Sequence, residues 1–224
     1  PILRPNHWGW SALVLKDMWV LVSYDTGALE ARNTITLWHG TPHTGFTHSG
    51  IIYDGGALEQ EQGTYRYTAS MPSEPVLYQP TAQTIACCLR TESTMKLGAY
   101  RRGKPWRWWE TGAMLHPSAV IQTPHGWLMA ARELVQKRPS KLTLDYKTMQ
   151  DYVAHVTLWR LDGNRLERVC VLQKDAGDCG YSAICGAGTE GEYLVSYYAS
   201  HEAPAGLSDV YVAKVKIAAS VTPP

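Results

Sequence analysis

The residues of this sequence that could do chemistry stand beside short β-rich runs, at the entry of one run or the exit of the next. They combine carboxylates, arginines and tyrosines, a set suited to binding a sugar that carries an anionic group. The entry positions are His7, Trp8, Trp10, Glu74, His116, Asp178 and Tyr181. The exit positions are Asp25, Arg90, Arg132, Glu133, Tyr197 and Tyr198. We expect a binding site where the fold brings these strand ends together.

The β-rich runs that must position these residues fall into three groups of four and a last group of three. They are 11–15, 19–24, 34–38 and 50–53; 76–79, 84–90, 95–100 and 106–109; 119–123, 127–131, 155–160 and 166–172; and 181–185, 193–198 and 209–217. Inserted loops are expected at 41–48, 60–73 and 136–151. Helix signals are nearly absent, and the best helix candidate is 128–136.

The first and last groups share a phrase, which indicates repeated supersecondary units. Gly9-Trp10-Ser11-Ala12 and Gly180-Tyr181-Ser182-Ala183 are each followed by Leu-Val-Ser-Tyr, at 21–24 and 194–197. Repeated four-stranded meanders are typical of β-propeller blades. We therefore predict an all-β fold, a β-propeller of four-stranded antiparallel blades, in a single domain over 1–224. The predicted blades are approximately 9–70, 74–115, 116–176 and 178–218, and a β-sandwich is the alternative.

The order and spacing of these phrases resemble the sialidase (neuraminidase) superfamily. Ser73-Glu74-Pro75-Val76-Leu77, with Arg90 sixteen residues after Glu74, resembles the glutamate that precedes a sialidase blade and the arginine that ends its second strand. Gly180-Tyr181-Ser182-Ala183-Ile184 resembles the phrase that carries the sialidase nucleophile. The resemblance covers essentially the whole chain, as the third to sixth blades of a six-bladed propeller.

This resemblance implies a sialidase-like glycoside hydrolase that acts on terminal, acidic sugars. Tyr181 would attack the anomeric carbon, Glu74 would take the phenol proton, and Arg90 would hold the substrate carboxylate. A neutral nucleophile avoids repulsion with that carboxylate, and the arginine fork can bind it through two hydrogen bonds. The further substrate-binding residues expected are Arg132, Asp178, Tyr198, Asp25 and Trp10.

Departures from the sialidase pattern leave other functions open. The turns at 100–106 and 160–164 are degenerate versions of the Asp-box (BNR) turn, and no arginine stands at 151–154, where the family has one. Arg132, or less favourably Arg138, would substitute for it. The family's remaining arginine and its acid/base aspartate come from the first two blades. A non-catalytic glycan-binding propeller of a cell surface or phage tail, an inactive or truncated sialidase homologue, and a protein-binding scaffold are the alternatives.

The composition of the chain excludes several classes of partner from what we expect. The 224 residues carry 21 Lys+Arg and 20 Asp+Glu without a basic cluster, so no nucleic-acid partner is expected. No apolar run approaches the roughly 18 residues of a membrane span, and the five cysteines lack metal-site spacing. We predict no metal and no cofactor. The expected partner is a glycan or small acidic sugar, with a second copy or another chain completing the propeller. No signal peptide is visible, and a secreted, surface, virion-associated or cytoplasmic location is left open.

Overall fold

The computed structural model describes residues 3, 7–25, 32–57, 59–61, 64–66, 71–137, 152–202 and 207–217. Regular structure in these ranges is entirely antiparallel β-sheet, which confirms the all-β prediction. Within the same ranges, no helix is long and apolar enough to cross a membrane.

The described strands follow one another along the chain and pair mainly with their sequence neighbours. They are β1 (His7–Val14), β2 (Trp19–Asp25), β3 (Arg32–Thr41), β4 (Gly45–Ala57), β5 (Glu59–Glu61), β6 (Thr64–Arg66), β7 (Ser73–Thr81), β8 (Thr84–Arg90), β9 (Lys96–Arg101), β10 (Arg107–Glu110), β11 (Leu115–Thr123), β12 (Gly126–Gln136), β13 (Tyr152–Asp162), β14 (Arg165–Gln173), β15 (Cys179–Gly186), β16 (Glu192–Ala199) and β17 (Asp209–Lys216).

These strands form meanders of the kind that builds propeller blades. Strands β1–β4, β7–β10 and β11–β14 each make a four-stranded sheet in sequence order, and β15–β17 make a three-stranded sheet. Strands β5 and β6 form a separate two-stranded ribbon. The predicted β-propeller fold class is confirmed, and in the described residues the last sheet has three strands, as its sequence indicates.

The chain divides into two compact units. Unit 1 contains the described residues up to 114, and unit 2 contains those from 115 onward. In unit 1, β1 lies against β7, and the Ser11 hydroxyl accepts a hydrogen bond of 3.1 Å from the Leu77 amide. The core of unit 1 consists of residues that alternate along its strands, as period-two patterning requires. They are Val20, Val22, Ile35, Ile52, Leu77, Cys87 and Leu89.

The described residues of unit 2 form two hydrophobic clusters. The larger consists of Leu128, Ala130, Leu158, Ile184, Tyr193, Val195 and Ile217. The smaller consists of Val156, Ala176, Cys179, Tyr197 and Ala199. Its member Cys179 begins β15, the strand that carries the predicted nucleophile Tyr181. In this unit β15 contacts both β11 and β12, so the start of β15 is close to the strands that carry His116 and Arg132.

Two local expectations from the sequence are wrong. The helix candidate 128–136 is strand, because it pairs along its whole length with Tyr152–Arg160 and both of its faces are largely buried. That pairing outweighs the helix propensity of its Leu, Met and Ala residues. The loop expected at 41–48 is the tight end of the β3–β4 hairpin, in which Thr41 pairs with Gly45.

The first strand of each blade sheet has an irregular register near its start. The pairing shifts between Gly9 and Ser11 in β1, between Ser73 and Val76 in β7, between Pro117 and Ala119 in β11, and between Gly180 and Ala183 in β15. Such β-bulges change the direction of a side chain and are frequent beside active sites. Three of the four contain a predicted site residue: Trp10, Glu74 or Tyr181.

Candidate functional site

Glu74 occupies the bulge of β7 in unit 1. Its φ angle is 48°, and of the described non-glycine residues only Asp175 and Tyr181 share a positive φ. An L-residue in this left-handed region carries a conformational cost of about 1–2 kcal/mol. Strained backbone of this kind persists where the surrounding structure enforces it, and it is concentrated at functional sites.

The Glu74 carboxylate faces Arg90, the predicted carboxylate anchor, at the end of β8. Their closest N–O distance is 2.8 Å, and a second carboxylate, Glu92, lies 3.8 Å from the guanidinium. The Glu74 and Arg90 side chains are only 10% and 13% exposed. In unit 1, therefore, the predicted anchor is already neutralised by the predicted base.

Asp25 and Trp10 also lie in unit 1, where the start of β1 pairs with the end of β2. Asp25 ends β2 opposite His7 and is buried, while the half-buried Trp10 packs edge-on against Tyr24 with ring centroids 5.8 Å apart. Trp8 contacts the same tyrosine and is exposed. The two indoles and Tyr24 form an aromatic surface, an arrangement that can stack on a sugar ring.

Tyr181 lies near the start of β15 in unit 2 and is exposed. Its φ angle is 42°, it follows Gly180 with φ 144°, and 61% of its surface is exposed. A positive φ is exceptional for a bulky residue. The bulge turns Tyr181 away from the core, and its ring lies 5.8 Å from that of Tyr198.

Asp178, Tyr198 and Arg132 meet beside this tyrosine. The Tyr198 hydroxyl donates to Asp178 Oδ1 over 3.1 Å, and Arg132 Nη1 donates to the same oxygen over 3.3 Å. Arg132 Nε donates to Nδ1 of the buried His116 over 3.0 Å. Three of the predicted substrate-binding residues are thus in direct contact, with Tyr181 at their edge.

The backbone holds Asp178 in place just before β15. Its amide donates to the Ser200 hydroxyl over 2.9 Å, and its carbonyl accepts from the Ser200 amide over 3.0 Å. Gly177 precedes it with φ 65°, and a Cβ on Gly177 would overlap the Ser200 hydroxyl oxygen. A glycine is therefore required on both conformational and steric grounds.

Burial and neighbouring charge alter the acidity of this cluster. Burial, followed by the negative charge of Asp178, raises the pKa of Tyr198 to about 12, against the opposing effect of Arg132. Burial likewise raises the pKa of the Cys179 thiol to about 11. Tyr198 is therefore a neutral hydrogen-bond donor at ordinary pH. Among the described residues, no three His, Cys, Asp or Glu side chains are grouped as a metal site.

The structure thus sorts the predicted residues into two sets. Unit 1 carries Glu74, Arg90, Asp25 and Trp10, and unit 2 carries Tyr181, Arg132, Asp178 and Tyr198. The pairing of Tyr181 with Glu74 stays a prediction, and Arg138 lies outside the described residues. His116 stands among the strand-entry residues of the sequence without an expected role, because its contact with Arg132 depends on strand register.

No protein-family model and no curated protein matches this chain. Its fold is similar to that of solved structures at low sequence identity. The α-L-arabinanase of Cellvibrio cellulosa, solved with arabinohexaose, has a TM-score of 0.54 and 12% identity over 95% of this chain and 74% of that one. A protein of Bifidobacterium bifidum assigned as an exo-β-1,3-galactanase has a TM-score of 0.53 and 13% identity over 87% and 62%. A further glycoside hydrolase has a TM-score of 0.54 and 10% identity over 94% and 75%.

At these identities the likeness establishes the fold, a β-propeller that this chain shares with glycoside hydrolases. The chain spans 62% of the length of the galactanase and about three quarters of the other two. None of these three is named as a sialidase. These structures therefore do not confirm the sialidase superfamily, and they do not identify the substrate of this chain.

Proposed function

We propose that this chain is a glycoside hydrolase that acts on a terminal sugar of a glycan, with Tyr181 as its nucleophile. The observation that carries the proposal is the backbone of Tyr181. A bulky residue held at φ 42° in a β-bulge and 61% exposed is unfavourable for folding. A nucleophile that must reach a bound sugar gives this conformation and this exposure a function.

The neighbours of Tyr181 are suited to hold the sugar that it would attack. Asp178 is 68% exposed at its side chain and accepts hydrogen bonds, while Arg132 and Tyr198 donate them. Such a mixture of donors and acceptors matches sugar hydroxyls and, through the guanidinium, an acidic substituent. The Tyr198 ring beside Tyr181 adds an apolar surface for the ring of the sugar.

The proposed reaction proceeds with retention through a glycosyl-tyrosine. The Tyr181 oxygen bonds to the anomeric carbon as the glycosidic bond breaks, and its phenol proton passes to a base. The leaving oxygen takes a proton from an acid, and water then cleaves the aryl glycoside. Glu74 remains the base predicted from the sequence, and Arg90 the predicted anchor.

A non-catalytic glycan-binding function is the second candidate. It is favoured by the pairing of both predicted anchors with carboxylates: Arg90 with Glu74 and Arg132 with Asp178. Paired arginines can still donate to sugar hydroxyls, but they attract a substrate anion less strongly than unpaired ones.

Turnover of fluorogenic sialosides and neutral glycosides by wild type and Tyr181→Phe separates the two functions. The hydrolase proposal expects turnover that falls by at least about two orders of magnitude in the variant. Tyr193→Phe, at a buried tyrosine on β16, is the matched control and should retain activity. Absence of turnover, together with saturable glycan binding that Arg132→Ala weakens, would instead establish the binding function.

A further inference from the structure

We propose that His116 is a positioning residue that fixes the direction of the Arg132 guanidinium toward the sugar. The proposal rests on the function proposed for the cluster in unit 2. His116 is buried and in contact with Arg132, and it would act through that arginine.

The geometry of His116 leaves it one protonation state. The residue is 6% exposed on β11, and its cross-strand partner on β12 is Arg132. Arg132 Nε donates to His116 Nδ1 over 3.0 Å. Because a guanidinium can only donate, Nδ1 must present a lone pair, so His116 is the neutral tautomer with its proton on Nε2.

Fixing Nε determines where the two terminal nitrogens of Arg132 point. A free arginine side chain samples many rotamers, but a planar guanidinium held at Nε retains little freedom at its Nη atoms. Nη1 reaches Asp178 Oδ1, the oxygen that also accepts from Tyr198. Among the described residues, Nη2 has no hydrogen-bond partner, and it is the donor left for a ligand.

A linked set of contacts therefore extends from buried His116 through Arg132 and Asp178 to Tyr198, beside Tyr181. If the acceptor at Nδ1 is lost, Arg132 keeps its charge but not its direction. The affinity for the sugar should then fall by a larger factor than the rate of the chemical step. An imidazole that served only to fill the core would have no such selective effect.

Three substitutions of His116 distinguish the effect of the Nδ1 acceptor from the effect of the ring volume. His116→Phe keeps the ring volume without an acceptor, whereas His116→Asn can place an amide oxygen near the position of Nδ1. His116→Gln places its polar atoms near Nε2 and serves as the displaced-acceptor control. Urea unfolding of each variant reports the structural cost separately from binding.

The test measures KM and kcat for the glycoside that wild type hydrolyses, or Kd for the oligosaccharide that it binds. His116→Phe should raise KM or Kd about tenfold or more with a smaller change in kcat. His116→Asn should recover most of that loss, and His116→Gln should not. In an Arg132→Ala background, His116→Phe should add little, because its effect passes through Arg132.

Equal losses in the Phe and Asn variants, or losses that add to that of Arg132→Ala, would overturn the proposal. A wild-type chain that neither hydrolyses nor binds any glycan would overturn the proposed function instead. In that event, the solvent-exchange rate of the Arg132 Nε proton, followed by NMR, still decides the role of His116. Protection that is lost in the Phe variant and kept in the Asn variant supports positioning, and unchanged protection in both contradicts it.

Discussion

The carboxylate of Glu74 and the guanidinium of Arg90 form an ion pair with an N–O distance of 2.8 Å, and both side chains are largely buried. Ser73 and Arg90 are cross-strand partners, so the bulge at Glu74 brings its side chain to the end of β8. This contact means that the residues predicted as base and anchor stabilise each other within unit 1. Either role in a reaction must begin from the paired state.

Removal of the charge of Glu74 should destabilise the fold more than removal of an exposed partner elsewhere. Glu74→Gln leaves the buried Arg90 without its closest carboxylate, and we expect a loss of about 2–4 kcal/mol. Glu167→Gln is the matched control, because Glu167 is 69% exposed and pairs with Arg160 over 3.0 Å. It should cost less than about 1 kcal/mol. Urea unfolding measures the free energy of unfolding of both variants. Equal decreases would show that burial of the Glu74–Arg90 pair does not add to its contribution.

Backbone strain at position 181 should make glycine more stable there than alanine, while loss of the phenol abolishes activity. At φ 42°, Tyr181→Gly should be more stable than Tyr181→Ala by about 1 kcal/mol, because only glycine adopts this region without penalty. Ala183, two residues along β15, provides the opposite control. There Ala183→Gly should lower stability by about 0.5–1 kcal/mol. Thermal unfolding of the four proteins tests the reversal, and the same preference at both positions would argue against strain.

Substitution of Gly177 should disturb the loop that holds Asp178. Gly177→Ala combines an unfavourable φ of 65° with overlap on the Ser200 hydroxyl, so we expect a loss above about 2 kcal/mol and weaker glycan binding. Gly163→Ala has a similar φ of 59° but open space around it, and it should cost only about 1 kcal/mol. Adding Ser200→Ala to Gly177→Ala should restore part of the stability. No recovery would mean that the hydroxyl is not the source of the clash.

Tyr198 should ionise later than an ordinary tyrosine. Its pKa is raised from 10.0 to about 12 by burial first and by the charge of Asp178 second. Because the folded state favours the protonated phenol, its stabilising contribution is complete below pH 10 and disappears as the pH rises through about 12. The near-ultraviolet phenolate signal, taken as the difference between wild type and Tyr198→Phe, gives this titration. Asp178→Asn should move it to lower pH, and an unchanged midpoint would exclude a contribution from Asp178.

The strands could be predicted from the sequence because their signals are local. Alternation of apolar residues and clusters of turn residues located most of the strands of the four blade sheets, and the repeated Leu-Val-Ser-Tyr phrase indicated their grouping. The stretch 128–136 is strand although its residues favour helix. Its pairing partner, Tyr152–Arg160, follows a long insertion, so no local pattern could reveal it.

Contacts inside the candidate site depend on register, which the sequence does not display. Counted back from the Thr123–Gly126 pair, Arg132 would face Pro117, but the bulge in β11 moves its partner to His116. Counted from the Cys185–Leu194 pair, Tyr198 would face Tyr181, but the bulge in β15 places Gly180 there. A one-residue shift sends a side chain to the other face of its sheet.

The sequence by itself therefore determined the all-β class, the order of the blades and the types of residue at the strand ends. Residue type and local spacing are enough for these, because strands and turns form from neighbours in the chain. Only the tertiary structure decided that Glu74 pairs with Arg90, that Arg132 rests on His116 and meets Asp178, and that Tyr181 faces outward. Each of these depends on a bulge, whose position is set by how whole strands pack rather than by the residues beside it.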